Sequence, residues 1–163
     1  MEFSNIKSKF PIFKQKIKGK SLIYLDSANS SQKPKAVIDE ISRFYETEFS
    51  SVRRSVHTLA VNATNKFEDT TRDLVKAYIN AAQREEIIFT KGATEAINLV
   101  ANTYGEKFIK TGDEILVTEL EHHSNYVPWH YLRKKKGAVI KFASVNENGE
   151  IDINEFKKQI TEK

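Results

Sequence analysis

A glycine turn at residue 92 contains the residues best suited to bind an anion. The sequence passes from an apolar run, Ile87–Thr90, through Gly92 into a helix-forming stretch that begins at Ala93. The first turn of a helix has unpaired N–H groups and a positive partial charge, which together attract phosphate. Gly92 permits close approach of a ligand, and the Thr94 hydroxyl supplies another donor. A plain helix cap without a ligand would show the same spacing.

A second polar segment, residues 119–129, contains the adjacent histidines His122 and His123. Side chains of sequence neighbours point in different directions, and the segment has no histidine pair spaced four residues apart, so we expect no metal site. A histidine here can stack on an aromatic ligand or move a proton near neutral pH. Two histidines that only face solvent would give the same pattern.

Two further polar loops lie earlier in the chain. The segment 51–58 contains Arg54 and His57, which either face an anion or are ordinary exposed loop residues. The segment 27–31 is small and polar, so that Ala28 and Asn29 either admit a neighbouring group to the backbone or simply connect two elements.

The first half of the chain reads as an arm followed by helices. Residues 1–20 predict an arm or short helix, and Leu22–Asp26 predicts a short strand. Pro34 suits the first turn of a helix that ends near Ser50. Apolar residues at helical spacing predict a second helix, which extends from Ala63 to about Asn80.

Strands and helices alternate in the second half. This alternation predicts an α/β fold with a mostly parallel sheet. Ligands bind beyond the carboxyl ends of such strands, which is where both the Gly92 turn and the loop after Thr118 fall. The predicted strands are Ile87–Thr90, Glu114–Thr118 and Ala138–Ala143, and the predicted helices are Ala93–Phe108 (buried), Val127–Lys136 and Ile153–Lys163, the last running to the chain end.

Composition is typical of a globular protein, either one domain or part of a larger one. The chain has 163 residues, of which 39% are apolar and 29% charged, and its net charge is +4. Basic and acidic residues are interspersed, so we expect no nucleic-acid partner. There is no cysteine, which excludes disulfides, thiolate metal sites and a cysteine nucleophile in this chain. No apolar run is long enough to span a membrane and no secretory signal is evident, so we expect a cytoplasmic protein without a membrane partner.

Five motifs in order resemble those of Suf-type cysteine desulfurases, relatives of the class V aminotransferases with the fold type I pyridoxal-phosphate architecture. The resemblance extends from about Phe10 to the last residue. It implies an N-terminal arm and short strand over residues 1–30, and the truncated start of the large cofactor-binding domain over residues 31–163. The motifs are Tyr24–Ala28, Gln32–Pro34, Arg54–Leu59, Thr90–Ala101 and Glu121–Trp129.

The resemblance assigns a cofactor, pyridoxal 5'-phosphate, and residues that hold it. Gly92, Ala93 and Thr94 match the turn that binds the cofactor phosphate, with the Ala93 N–H, the Thr94 N–H and the Thr94 hydroxyl as donors. Some relatives have threonine at the position of Ala93, so one hydroxyl is absent. His122 matches the catalytic histidine that stacks on the pyridine ring and moves protons, whereas His123 is its neighbour.

The same resemblance implies a reaction and its partners. L-cysteine would be converted to L-alanine, and its sulfur would pass as a persulfide to a sulfur-acceptor protein for iron–sulfur cluster assembly. Selenocysteine lyase activity often accompanies this reaction, and the family is homodimeric. Ala28 and Asn29 match a segment near the substrate, and Arg54 and His57 match a loop near the active-site entrance of the dimer.

Essential family residues are missing from this sequence. The family needs a lysine, in a serine-x-histidine-lysine motif, that bonds the cofactor. It also needs an aspartate for the pyridine nitrogen, an arginine for the substrate carboxylate and a cysteine that accepts sulfur. In the family these residues stand at positions beyond the match to this sequence. In the family fold the centre of the sheet is also contributed by later strands. We therefore expect the isolated chain to be inactive and either poorly stable or prone to aggregate.

Three interpretations remain open. The chain is the N-terminal segment of a cysteine desulfurase, half of a split enzyme that needs a partner chain, or a non-catalytic phosphate- or nucleotide-binding α/β domain.

Overall fold

A computed structural model describes residues 3–163, with side chains from Asn5 onward. The chain divides into two compact units, Met1–Ile87 and Ile88–Lys163. The division expected at residue 30 remains a prediction. No helix in the described part of the chain is long and apolar enough to cross a bilayer.

The first unit begins with short elements. Helix α1 (Phe3–Lys7) and a 3-10 turn (Pro11–Lys14) precede an antiparallel hairpin of β1 (Lys16–Ile17) and β2 (Lys20–Ser21). The predicted arm or short helix thus contains a short helix and, unexpectedly, a hairpin. Its turn needs two residues with positive φ, and Gly19 supplies one of them at 77°.

The strand predicted at Leu22–Asp26 is wrong. The Leu22 N–H donates to the Gln15 carbonyl at 3.3 Å, but no strand in the described range forms a ladder with this segment. Ile23 and Leu25 are 79% and 91% exposed. A strand exists only through its ladder, so an apolar pattern without a partner stays extended but unpaired.

The predicted helices of the first unit are present. α2 (Lys35–Thr47) follows Pro34 as expected. The second predicted helix begins earlier than expected, as α3 (Thr58–Asn65), and continues through a π-helical turn (Lys66–Thr71) into α4 (Arg72–Ile79). A 3-10 turn (Arg84–Glu86) follows, and the buried apolar residues of this unit are Ala60, Ala63 and Ile87.

The second unit alternates helices and strands around one parallel pair. The strands β3 (Glu114–Thr118) and β4 (Val139–Ala143) pair in register along their full length, which confirms the parallel arrangement. Helix α7 (Val127–Lys136) forms the crossover between them, and Gly137 caps its end with a φ of 75°, the left-handed conformation that glycine favours. The elements are α5 (Ala93–Val100), a π-helical turn (Ala101–Gly105), α6 (Glu106–Phe108), β3 (Glu114–Thr118), a 3-10 turn (His123–Asn125), α7 (Val127–Lys136), β4 (Val139–Ala143) and α8 (Ile153–Lys158).

Two predicted elements of the second half need correction. Ile87–Thr90 forms no ladder with any described strand, so the predicted strand there is wrong for the same reason as the first. The last helix ends at Lys158 instead of running to the chain end, because the final residues bind the start of β3. The Thr161 hydroxyl donates to the Glu114 carboxylate at 2.6 Å, and the Glu114 N–H donates to the Lys163 carbonyl at 3.0 Å.

The helix after Gly92 is less covered than its apolar sequence predicts. None of the residues of α5 is buried, and Leu99, Val100 and Tyr104 are 38%, 48% and 62% exposed. The chain exposes 13163 Å² in total. Two separate compact globules of 87 and 76 residues would together expose only about 10,000 Å² by the usual scaling of surface with mass. Much apolar surface therefore lacks a partner, and the predicted poor stability of the isolated chain remains to be tested.

Candidate functional site

The Gly92 turn leaves the start of α5 with free hydrogen-bond donors. Gly92 is extended, with φ 164° and ψ 178°, and the first helical bond runs from the Ala96 N–H to the Gly92 carbonyl at 3.1 Å. Within residues 3–163 no acceptor is bonded to the N–H groups of Ala93 and Thr94. Both donors can therefore bind an external anion, and the helix macrodipole favours such a ligand.

Thr94 does not act as a cap. No side chain caps this helix start, and the Thr94 hydroxyl has no hydrogen-bond partner in the described chain. The Glu95 carboxylate instead folds back to accept the Lys91 N–H at 2.6 Å. A Cβ built on Gly92 would meet no atom within 4 Å, so the space before the turn is open. We call the Ala93 N–H, the Thr94 N–H and the Thr94 hydroxyl the phosphate cup.

The loop after β3 is fixed by a chain of side-chain hydrogen bonds. The Thr118 hydroxyl and the Asn125 amide each donate to the Glu121 carboxylate at 2.8 Å. The Trp129 indole N–H donates in turn to the Asn125 side-chain oxygen at 2.9 Å. The hydrogen bonds from Asn125 and then Thr118 lower the pKa of Glu121 below its ordinary value.

His122 is exposed and lies within this loop. Its Nδ1 accepts the Ser124 N–H at 3.1 Å and lies 2.9 Å from the Ser124 hydroxyl. Because Nδ1 accepts from the backbone, the neutral ring has its proton on Nε2. The His123 ring lies 6.1 Å away at an angle of 48°, and no group of metal-ligating side chains occurs among the described residues.

The phosphate cup and the His122 loop belong to neighbouring elements. α5 contacts the 3-10 turn His123–Asn125, which directly follows His122. A separate cleft of about 150 Å³ opens beyond the carboxyl ends of β3 and β4. Ligand pockets usually enclose about 300–1,000 Å³, and neither Gly92 nor His122 lines this cleft. The cup and His122 therefore lie outside this cleft, on two elements that contact each other, and together they form the candidate site.

The other predicted site residues lie in the first unit. The loop around Ala28 is a turn, in which the Asn29 N–H donates to the Asp26 carbonyl at 3.2 Å and the Asn29 amide donates to the Asp26 carboxylate at 3.3 Å. His57 caps α3, because its Nδ1 accepts the Ala60 N–H at 3.4 Å. Arg54 is exposed. Their suggested place near the substrate remains a prediction.

Sequence reasoning missed the residues that hold the His122 loop. Glu121, Ser124 and Asn125 were identified only as motif positions, without a role. Their spacing gave a usable signal, since Glu121, Asn125 and Trp129 succeed one another at four-residue intervals. Such intervals bring side chains together in α-helical turns, and the chain here passes through a 3-10 turn (His123–Asn125) into α7.

A model of the aminotransferase class-V family matches residues 23–163. The chain belongs to the class V aminotransferase family. A probable cysteine desulfurase of Staphylococcus aureus (strain Mu50) is 47% identical over 154 residues, which are 94% of this chain and 37% of that protein. A probable cysteine desulfurase of Mycolicibacterium paratuberculosis is 45% identical over 93% of this chain and 22% of its own length.

Solved structures show the same family fold. The apo cysteine desulfurase of Thermococcus onnurineus NA1 superposes with a TM-score of 0.84 at 33% identity, over 98% of this chain and 38% of that chain. A cysteine desulfurase of Escherichia coli gives a TM-score of 0.75 at 31% identity, over 99% and 39%. This class V aminotransferase chain thus spans between about a fifth and two fifths of its relatives' lengths. The fold is the N-terminal part of a fold type I transferase.

Proposed function

We propose that this chain is the N-terminal part of the large domain of a pyridoxal-phosphate-dependent cysteine desulfurase. The observation that carries the proposal is the unsatisfied phosphate cup on α5, next to the loop that presents His122. Two free N–H groups and a free hydroxyl fit a phosphate dianion, and an exposed imidazole fits an aromatic ring. The residues present therefore fit the phosphate and ring parts of this cofactor.

The chain's own residues bind and orient in this proposal. Ala93 and Thr94 donate to the phosphate at the positive end of α5. His122 stacks its ring on the cofactor and has a mobile proton on Nε2, because Ser124 occupies Nδ1. Bound pyridoxal phosphate supplies an electron sink for bonds at the substrate α-carbon. Ala28, Asn29, Arg54 and His57 are proposed to lie near the substrate.

The complete reaction needs groups that this chain does not contain. The C–S bond of L-cysteine breaks, an S–S bond forms between its sulfur and an enzyme thiolate, and the thiol proton passes to the β-carbon, which leaves L-alanine and an enzyme persulfide. This chain has no cysteine, so the accepting thiolate must come from elsewhere. We propose that further sequence or a partner chain supplies it, together with the lysine that bonds the cofactor. Homodimerisation, a sulfur-acceptor protein, iron–sulfur cluster assembly and a cytoplasmic location belong to the same proposal.

Pyridoxamine 5'-phosphate is a suitable probe for the proposed site, because its amine forms no covalent bond with a lysine. Trp129 is the chain's one tryptophan, so quenching of its emission reports binding. We expect saturable binding that pyridoxamine without phosphate does not reproduce. His122→Ala should weaken it about fivefold through loss of ring stacking, whereas His123→Ala, the matched control, should leave it unchanged.

Two results would contradict the proposal. Equal losses in the two histidine variants would show that His122 has no special contact with the ring. Binding of ATP with no binding of pyridoxamine 5'-phosphate would favour the alternative of a nucleotide-binding domain.

A further inference from the structure

Glu121 binds both ends of the loop that contains His122. One carboxylate oxygen, Oε1, accepts the hydroxyl of Thr118, the last residue of β3. The other, Oε2, accepts the side-chain amide of Asn125, in the 3-10 turn that follows His122. Both distances are 2.8 Å. The Glu121 side chain therefore links the end of β3 to the 3-10 turn, and His122 lies in the segment between these two bonded residues.

Trp129 extends this link into α7 and gives it one orientation. The indole N–H donates to the Asn125 side-chain oxygen at 2.9 Å. An indole N–H only donates and an ionised carboxylate only accepts, so the Asn125 amide cannot be reversed without losing both bonds. Removing the Glu121 carboxylate would leave the amide N–H₂ of Asn125 without its acceptor in a half-buried position.

The charge on Glu121 strengthens the link. Hydrogen bonds to an ionised acceptor are roughly twice as strong as those between neutral groups. Donation from Asn125, and secondly from Thr118, holds the pKa of Glu121 below its ordinary value despite partial desolvation. The link is therefore complete above the ordinary glutamate pKa and is lost in acid, as the pH falls through the lowered value.

The His122 ring is hydrogen-bonded within the segment that Glu121 closes. Nδ1 of His122 accepts the N–H of Ser124, so the ring direction follows the backbone between the two anchored ends. We propose that Glu121 is the positioning residue for His122, which keeps Nδ1 turned into the loop and Nε2 free for the cofactor ring. This rests on the proposed function, because it concerns how His122 meets the cofactor.

A matched pair of variants tests the proposal. Glu121→Ala removes the link between Thr118 and Asn125. Glu119→Ala removes a different carboxylate of the same loop, one that is hydrogen-bonded to Ser144 and Val145 instead. Glu119 accepts the Val145 N–H at 3.2 Å and the Ser144 hydroxyl at 3.4 Å, and neither of its oxygens touches Asn125. Loss of Glu119 therefore controls for general disturbance of the loop.

The first measurement is the tautomer of His122 by long-range ¹H–¹⁵N NMR of the ligand-free protein, with the resonance assigned by His122→Gln. We expect the neutral ring to have its proton on Nε2 in the unchanged protein and in Glu119→Ala. Glu121→Ala should give a mixture of both tautomers. An unchanged tautomer in Glu121→Ala would overturn the proposal, whether or not the cofactor binds.

The second measurement is the affinity for pyridoxamine 5'-phosphate, compared with that for inorganic phosphate. Glu121→Ala should weaken the binding of pyridoxamine 5'-phosphate about fivefold and leave the binding of inorganic phosphate unchanged, because Glu121 acts through the His122 ring and not through the phosphate cup. In a His122→Ala background the same substitution should have no further effect. A fivefold loss that persists without His122 would overturn the proposal. Failure of the unchanged protein to bind the probe would instead overturn the proposed function.

Glu121→Gln and a pH series cover the case in which Glu121→Ala does not fold. The indole N–H of Trp129 gives a single resonance, because the chain has one tryptophan. In the unchanged protein this resonance should move as the pH falls below the ordinary glutamate range, since protonation of Glu121 releases Asn125. Glu121→Gln should abolish that transition. The same transition in both proteins would show that Glu121 does not control the loop.

Discussion

Replacement of Thr94 by valine tests the phosphate cup most directly. Valine preserves the shape and the β-branch of threonine and removes only the hydroxyl. That hydroxyl has no partner within the described chain, so its loss costs the folded protein no hydrogen bond. Any effect on phosphate binding therefore reports a contact with the ligand.

The expected size follows from the charge of the ligand. A hydrogen bond to a charged group contributes about 1.5–3 kcal/mol. Thr94 is exposed, so water competes and the lower end applies. A loss of about 1.4 kcal/mol is tenfold in affinity, so Thr94→Val should weaken pyridoxamine 5'-phosphate binding about tenfold. The backbone N–H groups of Ala93 and Thr94 should keep the remaining affinity.

A valine substitution further along the same helical segment provides the control. The Thr103 hydroxyl donates to the Leu99 carbonyl at 2.6 Å and plays no part in the cup. Thr103→Val should bind the probe as the unchanged protein does, measured by quenching of Trp129 emission and by titration calorimetry. Equal affinities for Thr94→Val and the unchanged protein would refute the assignment of the hydroxyl to the cup.

Three further predictions concern stability. Gly105→Ala should lower the midpoint of denaturant unfolding, because the new Cβ would lie 2.7 Å from Leu132 Cδ2 and such overpacking costs about 1–3 kcal/mol; an unchanged midpoint would contradict this. Hydrogen bonds from Arg43 and then Lys66 lower the pKa of Glu48 to about 2. The stabilising contribution of ionised Glu48 is therefore present above pH 4.5 and lost as the pH falls towards 2. Glu48→Gln should reduce the loss of stability between these two pH values, measured as the unfolding midpoint against pH. The same loss in both proteins would count against this ion pair. The isolated chain should show a broad thermal transition and bind a hydrophobic dye, and a sharp cooperative transition of a soluble monomer would contradict this.

Local patterns predicted most of the helices and the parallel strand pair. Apolar spacing identified α2 and the helical run that ends with α4, and Gly137 marked the end of α7. The strand residues 114–118 match β3 as observed. These elements were predictable because their caps, turns and apolar faces are formed by residues close together in the sequence.

The candidate site was only partly predictable. Residue type and spacing drew attention to the turn at Gly92 and Thr94 and to the pair His122 and His123, whereas the choice of His122 over His123 came from the family resemblance; the roles of these residues stay predictions. The sequence did not show that the Thr94 hydroxyl makes no capping hydrogen bond, or that the Ser124 N–H donates to Nδ1 of His122. Those facts depend on the side-chain directions, which a motif does not specify.

The amino-acid sequence by itself determined the family motifs, the absence of cysteine, the positions of the longer helices and the strands β3 and β4. Only the tertiary structure decided which apolar segments are strands, because Leu22–Asp26 and Ile87–Thr90 have suitable side chains but no ladder partner within the described chain. It also decided that the carboxylate of Glu121 joins β3 to the turn after His122. Strand pairing and side-chain contacts between elements depend on which residues become neighbours in the folded chain. A sequence pattern shows only that a segment has side chains suited to a strand.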